Sequence, residues 1–463
     1  MRRIRSLGLL ASCLTAGVML MAETQRGRDA IKARLDALAD DLLKRELFSG
    51  ALVVGDTSGV LWQRGVGLAD KARGVAFTPD TPSDGASLAK TFTAALVLSL
   101  QAEGRLRLDD PARKYLPALP YDDITVRHLL THSSGLPSDY AYFDPFIPAN
   151  RERTTESLLA VIAAERPRLA FTPGTAFEYS SFAYDVAALV AARAAGSTYE
   201  ALLRERFFRP LGITSAFLRP ARFDAFPGIR TLAYRSAGSL EVHEVFDFEN
   251  FHGGSNIYIS ARDLHAWNLG LMERRVVPRA SADIARYASI AGAMSGLTLG
   301  SWYRSAAGDA FWYAGHLQGF HSEVFRETRS RMSIVYHSNN TIEPWLQPGL
   351  VRAIRNILAG EEPGTLAAPS TEPIRKEDYP ALAGRWQMAD GEILAIEPSG
   401  TRVWIRRRGL AYEMFPVGPT AFYAPGLHFT IGFARDAGSV ARMHVATVLS
   451  EAWATRASRT RIP

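Results

Sequence analysis

The 463-residue sequence contains a single cysteine, Cys13, and it falls within the first 22 residues. A chain cut after Ala22 has none, which excludes disulfide cross-links, cysteine nucleophiles and thiolate metal sites. Lysine is nearly as scarce. Of 53 basic residues only six are Lys, at positions 32, 44, 71, 90, 114 and 376. Beyond the N-terminus no stretch approaches the roughly 20 apolar residues needed to cross a bilayer. The richest, Ala86 to Leu100, carries Lys90 and several hydroxyls. Internal repeats and low-complexity tracts are missing too. The net charge of +6 is small, and three of its Arg fall in the first five residues, so nucleic acid is not an expected partner.

At the N-terminus Arg2, Arg3 and Arg5 precede the apolar run Leu7 to Ala22, and polar Glu23-Thr24-Gln25 follows. This is the pattern of an export signal, so residues 1–22 are expected to be a signal peptide and the protein periplasmic or secreted. Leu10-Ala11-Ser12-Cys13 also fits a lipoprotein cleavage box, but the apolar run continues past Cys13 and the simple signal is preferred.

Ile31, Leu35, Leu38 and Leu42 recur at helical spacing and predict an amphipathic helix over 28–46. Ala51 to Val54 and Val60 to Gln63, separated by Asp56-Thr57-Ser58-Gly59, read as a hairpin. His321 to Phe325 and Met332 to Tyr336 form a matching pair before a closing helix, Val351 to Leu358, so the two ends of this region are expected to share one sheet. Helical patterns fill Thr155 to Ala164, Phe182 to Ala194 and Thr198 to Phe208, whereas Pro137 to Asn150 is an aromatic loop.

The texture changes after Gly360. The boundaries follow: a main domain over 23–362, a Pro- and Gly-containing linker over 363–375, and a small all-β domain over 376–463. Six short strands are predicted in the last: Gly384 to Gln387, Ile393 to Glu397, Val403 to Arg407, Tyr412 to Phe415, Phe429 to Phe433 and Val440 to Val445. They suit an antiparallel barrel or sandwich. Arg406 to Arg408 reads as solvated surface, and Arg456, Arg459 and Arg461 as a disordered tail.

The chemistry centres on Ser87-Leu88-Ala89-Lys90 at the start of an apolar helix. Residues three apart share a helix face, so a hydroxyl and a base become neighbours at an end rich in free N–H groups. A Ser-x-x-Lys arises by chance about as often as not in a chain of this length, so the motif alone is weak. The Arg bias adds weight: Arg cannot give up its proton and Lys can, so a Lys here calls for a chemical reason.

The surroundings are more specific. Gly67-Leu68-Ala69-Asp70, Phe77-Thr78-Pro79-Asp80-Thr81 and Ile124-Thr125-Val126-Arg127-His128-Leu129-Leu130-Thr131-His132-Ser133-Ser134-Gly135-Leu136-Pro137 closely resemble the serine β-lactamase and penicillin-binding-protein superfamily. The likeness is to its class C, esterase and D-aminopeptidase branch, and runs from about Phe48 to Ala359. It implies an α/β fold: a β-lactamase/transpeptidase-like main domain, with an antiparallel sheet flanked by helices and an all-helical lobe, ahead of the small all-β domain.

The resemblance makes Ser87 the nucleophile, with Lys90 and Tyr179 sharing the base role. The family's tyrosine-x-asparagine motif matches Tyr179-Ser180-Ser181, so Ser181 stands where Asn is usual. Its lysine- or histidine-x-glycine motif matches Tyr313-Ala314-Gly315 without a gap, leaving the usual cation absent; a gapped alignment would instead put His316 first. By carry-over, the N–H groups of Ser87 and His316 form the oxyanion hole.

The expected function is hydrolysis of small esters, amides or peptides, D-amino-acid compounds included, without a cofactor. Two rivals stand beside it: a non-catalytic binding protein, suggested by Ser181 and Tyr313, and a cell-wall carboxypeptidase or β-lactamase proper. Expected partners are the small substrate and, for an exported chain, the cell envelope; the oligomeric state is not legible. His128 and His132 have metal-pair spacing but lack the Glu of hydrolytic zinc motifs, so no metal is expected. Tyr140 to Phe146 is expected either to line an acyl cleft or simply to pack, and Gly253-Gly254 to be scaffold.

Overall fold

The computed structural model describes residues 27–277 and 302–457, apart from 149, 229, 244–248, 274, 306–307, 365, 369–372, 408–409, 418–419, 425–426 and 428. The expected signal peptide, with Cys13, and Arg459 and Arg461 lie outside the described residues. Helix α1 (27–44) turns Leu35, Leu38 and Leu42 inward, as its period requires. Strands β1 (Gly50–Asp56) and β2 (Gly59–Val66) then form the expected hairpin, whose turn is held by the Ser58 N–H donating to Asp56.

Ala51 to Val54 are buried on both faces, which a strand can satisfy only inside a covered sheet. Further strands are β3 (Tyr303–Arg304), β4 (Ala310–Leu317), β5 (Phe320–Glu327) and β6 (Met332–Ser338). The six-stranded order is β3-β4-β5-β6-β1-β2, with every pairing antiparallel. The N- and C-terminal pieces thus meet at β1 and β6, where Val53 pairs with Val335.

Helix α2 (Ala89–Ala102) is buried on nearly all sides, which fits its near-continuous apolar sequence and makes it the central helix. It packs against α3 (Ser181–Ala195), and its Phe92 stacks on Trp267 of α4 (Ala261–Met272) with ring centroids 4.1 Å apart. Helix α5 (Leu346–Leu358) closes the main domain.

The C-terminal unit is a closed antiparallel barrel of eight strands, two more than the sequence reading. The added strands are Ala421–Ala424 and Glu451–Arg456. The last one closes the barrel on Gly384–Gln387, and closure removes the unpaired edges a six-stranded sheet would keep. Arg456 is therefore no tail residue. Its guanidinium donates to the carbonyls of Val440, Ala383 and Ala381 and lies over the Trp386 ring.

Nor does the segment after Gly360 stand free. Arg34 of α1 and Arg45 just past its end donate to the carbonyls of Glu361 and Leu366, and Leu366 is buried. The barrel rests on the main domain: Thr430 donates to the Pro344 carbonyl at 3.0 Å and Arg352 to that of Thr447 at 2.9 Å. Its Tyr423 ring meets that of His316 edge-on at 5.7 Å.

Candidate active site

Ser87 sits in a single 3-10 turn, Ala86–Leu88, that runs directly into α2. The residue before it, Ala86, has φ 46°, a left-handed conformation that costs an alanine about 1 to 3 kcal/mol unless its surroundings enforce it. Two contacts do so. The Ala86 N–H donates to Asp84 Oδ1 at 2.8 Å, and strand β4 presses on the turn at Gly315. A Cβ on Gly315 would lie 2.2 Å from the Gly85 carbonyl oxygen and 3.1 Å from the Ser87 nitrogen, so only glycine allows this approach. Burial pushes the Asp84 carboxyl up to about 6, against the opposing charge of Arg219.

Lys90, one helical turn on, is 0% exposed. Its ammonium donates to Ser87 Oγ at 3.2 Å, to Ser181 Oγ at 2.9 Å and to the Gly254 carbonyl at 2.6 Å. Three donors thus meet three acceptors, which is how a buried cation escapes the full cost of desolvation. The Tyr179 hydroxyl lies 3.0 Å from Ser87 Oγ and 2.8 Å from the Tyr313 hydroxyl. Burial alone would raise the Tyr179 phenol. The Lys90 charge, then hydrogen bonding with Ser87, Tyr313 and Lys90, outweighs it, and the net shift is downward.

Ser87, Lys90, Tyr179, Ser181 and Tyr313 therefore form one contact cluster, flanked by Gly315. The His316 side chain is not part of it: its ring lies against His321 and the barrel's Tyr423. Ser181, in the position where the family resemblance implies Asn, has its hydroxyl engaged by Lys90.

Three participants escaped the sequence reading. Gly253-Gly254, read there as scaffold, brings a carbonyl to Lys90. A Cβ on Gly254 would lie 2.4 Å from the Ser181 carbonyl oxygen, so the glycine is needed for that contact. Asp185, fully buried, accepts from the Gly254 N–H at 2.7 Å. His132 stacks on the Tyr179 ring with centroids 4.5 Å apart and accepts from the Ser180 N–H. Burial, then the Lys90 charge, holds His132 well below the usual imidazole value, so it stays neutral. The signals available were a lone acid in the apolar run Phe182 to Ala192 and the Gly doublet itself.

The other singled-out residues have structural work. His128 closes a capping box with Thr125 at the helix Val126–Leu130, and its ring abuts Gly174. Among the described residues no cluster of His, Cys, Asp or Glu could hold a metal ion. In the aromatic loop Phe143 is fully buried and Tyr140 turns inward to Asp185, while Phe146 points outward.

The beta-lactamase family model matches residues 31–359. Penicillin-binding protein 4* of Bacillus subtilis is 22% identical over 423 residues, covering 87% of this chain and 93% of its own. Among solved structures, SurE superposes with a TM-score of 0.61 at 24% identity over 94% of this chain and 100% of its own. An octameric penicillin-binding protein homologue from Pyrococcus abyssi gives 0.61 at 18% identity, covering 91% of this chain and 99% of its own. The D-amino acid amidase of Ochrobactrum anthropi gives 0.55 at 21% identity, over 69% of this chain and 92% of its own. Likeness at these identities speaks for the fold, and SurE and the Pyrococcus protein share it across the barrel as well. With the family model spanning most of the sequence, the chain belongs to the beta-lactamase family of serine hydrolases.

Proposed function

We propose that this protein is an exported serine hydrolase acting on small esters or amides, D-amino-acid derivatives included, through an acyl-enzyme on Ser87. One observation carries the reading: Ser87 Oγ stands between Lys90 Nζ at 3.2 Å and Tyr179 Oη at 3.0 Å. As Oγ bonds to the substrate carbonyl carbon, its proton passes to the Lys90–Tyr179 pair, and the carbonyl electron pair collects on oxygen. The N–H groups of Ser87 and His316 are assigned to that oxyanion. Collapse breaks the bond to the leaving group, which takes the proton back through Tyr179. Water then repeats the sequence, releasing the acid and restoring Ser87.

The substrate class follows from the two altered motifs. Tyr313 offers a neutral hydroxyl already engaged with Tyr179, and Ser181 a hydroxyl engaged by Lys90, so neither supplies a cation for a substrate carboxylate. This favours uncharged esters and amides over carboxylate-bearing β-lactams and peptide stems. Export rests on the pattern of residues 1–25. The test is a panel of uncharged aryl esters and D-amino-acid amides, run on the protein and on Ser87→Ala. Turnover that vanishes in Ser87→Ala is expected; none in either would favour the non-catalytic rival, and rapid penicillin acylation the β-lactamase one.

A further inference from the structure

Behind the nucleophile lies a buried carboxyl that the proposed mechanism does not use. Asp185 sits one turn into α3 after Ser181, in a run of Phe, Ala, Tyr and Val, with no exposed surface. Its Oδ1 accepts the Gly254 N–H at 2.7 Å, and the carbonyl of the same glycine accepts the Lys90 ammonium at 2.6 Å. Its Oδ2 accepts the hydroxyl of Tyr140, whose ring stacks on Phe251 at 4.4 Å. A Cβ on Gly253 would lie 3.1 Å from the Asp185 Cα, so the glycine segment is pressed directly onto this turn of helix.

We propose that Asp185 is a positioning residue for Lys90, aiming the Gly254 carbonyl at the ammonium through the peptide it holds and placing a buried carboxyl within electrostatic reach of that ammonium. The inference rests on the hydrolase reading only for its rate measurements. The same carboxyl ties the aromatic loop to the catalytic cluster through Tyr140.

The charged and titratable groups that face it are few. Lys90 comes from α2, Tyr140 from the loop and Tyr199 from the helix after α3; Glu249 comes from a short strand, where it is paired with Arg219 at 2.8 Å. Burial raises the Asp185 carboxyl to about 7, while Tyr140, the Gly254 N–H and Lys90 pull it down and Glu249 pushes it up. The acid accordingly titrates in the neutral range: below it Asp185 is uncharged, above it a carboxylate faces the Lys90 ammonium. Since Lys90 favours the carboxylate, the coupling is reciprocal.

Two arms test this. The first follows the pH dependence of Ser87 phosphonylation by a fluorophosphonate. Asp185→Asn keeps an oxygen for the Gly254 N–H but removes the charge, so the acid limb of its profile should move down by about one unit, the scale of a nearby opposite charge. Asp185→Ala also loses the peptide contact and should slow phosphonylation roughly a hundredfold, as misplaced catalytic groups do. The second arm needs no activity: a carboxyl infrared band should titrate near neutrality, vanish in Asp185→Asn and shift to higher pH in both Lys90→Gln and Tyr140→Phe. An Asp185→Asn profile superimposable on wild type, or a band unmoved by Lys90→Gln, would overturn the proposal. If the wild type takes no label, the hydrolase reading falls and the infrared arm alone decides this one.

Discussion

Lys90 combines a buried charge with a proposed chemical duty, and a cation that cannot give up its proton separates the two. Lys90→Arg keeps the charge but cannot serve as base, so turnover should fall by about 10² to 10⁴ in a protein that still folds, checked by ester hydrolysis beside a melting curve. Retained activity would remove Lys90 from the base role. Tyr313 is the second decisive residue. An uncharged aryl ester should outpace a carboxylate-bearing cephalosporin on the wild type, and Tyr313→Lys should narrow the gap by roughly ten- to a hundredfold, the worth of a hydrogen bond to a charged group. Rapid cephalosporin hydrolysis by the wild type would contradict this. The motif residues were visible in the sequence because their spacing is local, three apart on one turn, or because a long string carried the resemblance. The roles of Asp185, Gly254 and His132 were not, since each acts on a residue distant in the chain: Gly254 is 164 positions from the Lys90 it holds.

At the scale of elements the site is a junction of a strained turn, the start of α2, the extended approach to α3 and strand β4. Gly315 is where two of them touch. Gly315→Ala would drive a methyl into the Gly85 carbonyl, so β4 must move away from the Ser87 turn. Acylation of Ser87 should drop by roughly a hundredfold while the fold survives, read by labelling rate beside circular dichroism. Full labelling by Gly315→Ala would mean that β4 can yield without harm. The hairpins and long helices were legible because alternation and 3.6-residue periods are written in consecutive residues. The final strand, Glu451–Arg456, was not: its Glu and two Ala positions carry little β signal, and pairing with Gly384–Gln387 fixes it as a strand.

For the whole molecule, the sequence suggests separable units after Gly360, whereas the structure straps that segment to α1 and seats the barrel beside strand β4. Arg352 alone reaches both the Thr447 carbonyl and the Glu451 carboxylate. A chain ended at Ala359 should therefore lose solubility or at least most of its acylation rate, and calorimetry of the full chain should show one transition. Two well-separated transitions, with an active 359-residue fragment, would make the barrel a mere appendage. Composition shows where the texture changes, but it cannot show what packs on what. The central claim, that Ser87 is a nucleophile activated by Lys90 and Tyr179, is tested most directly by fluorophosphonate labelling followed by peptide mass spectrometry on wild type, Ser87→Ala and Lys90→Arg. A single adduct on Ser87 in the wild type, absent in Ser87→Ala and slowed at least a hundredfold in Lys90→Arg, is the expected result. A wild type that takes no label, or labels elsewhere, would contradict it.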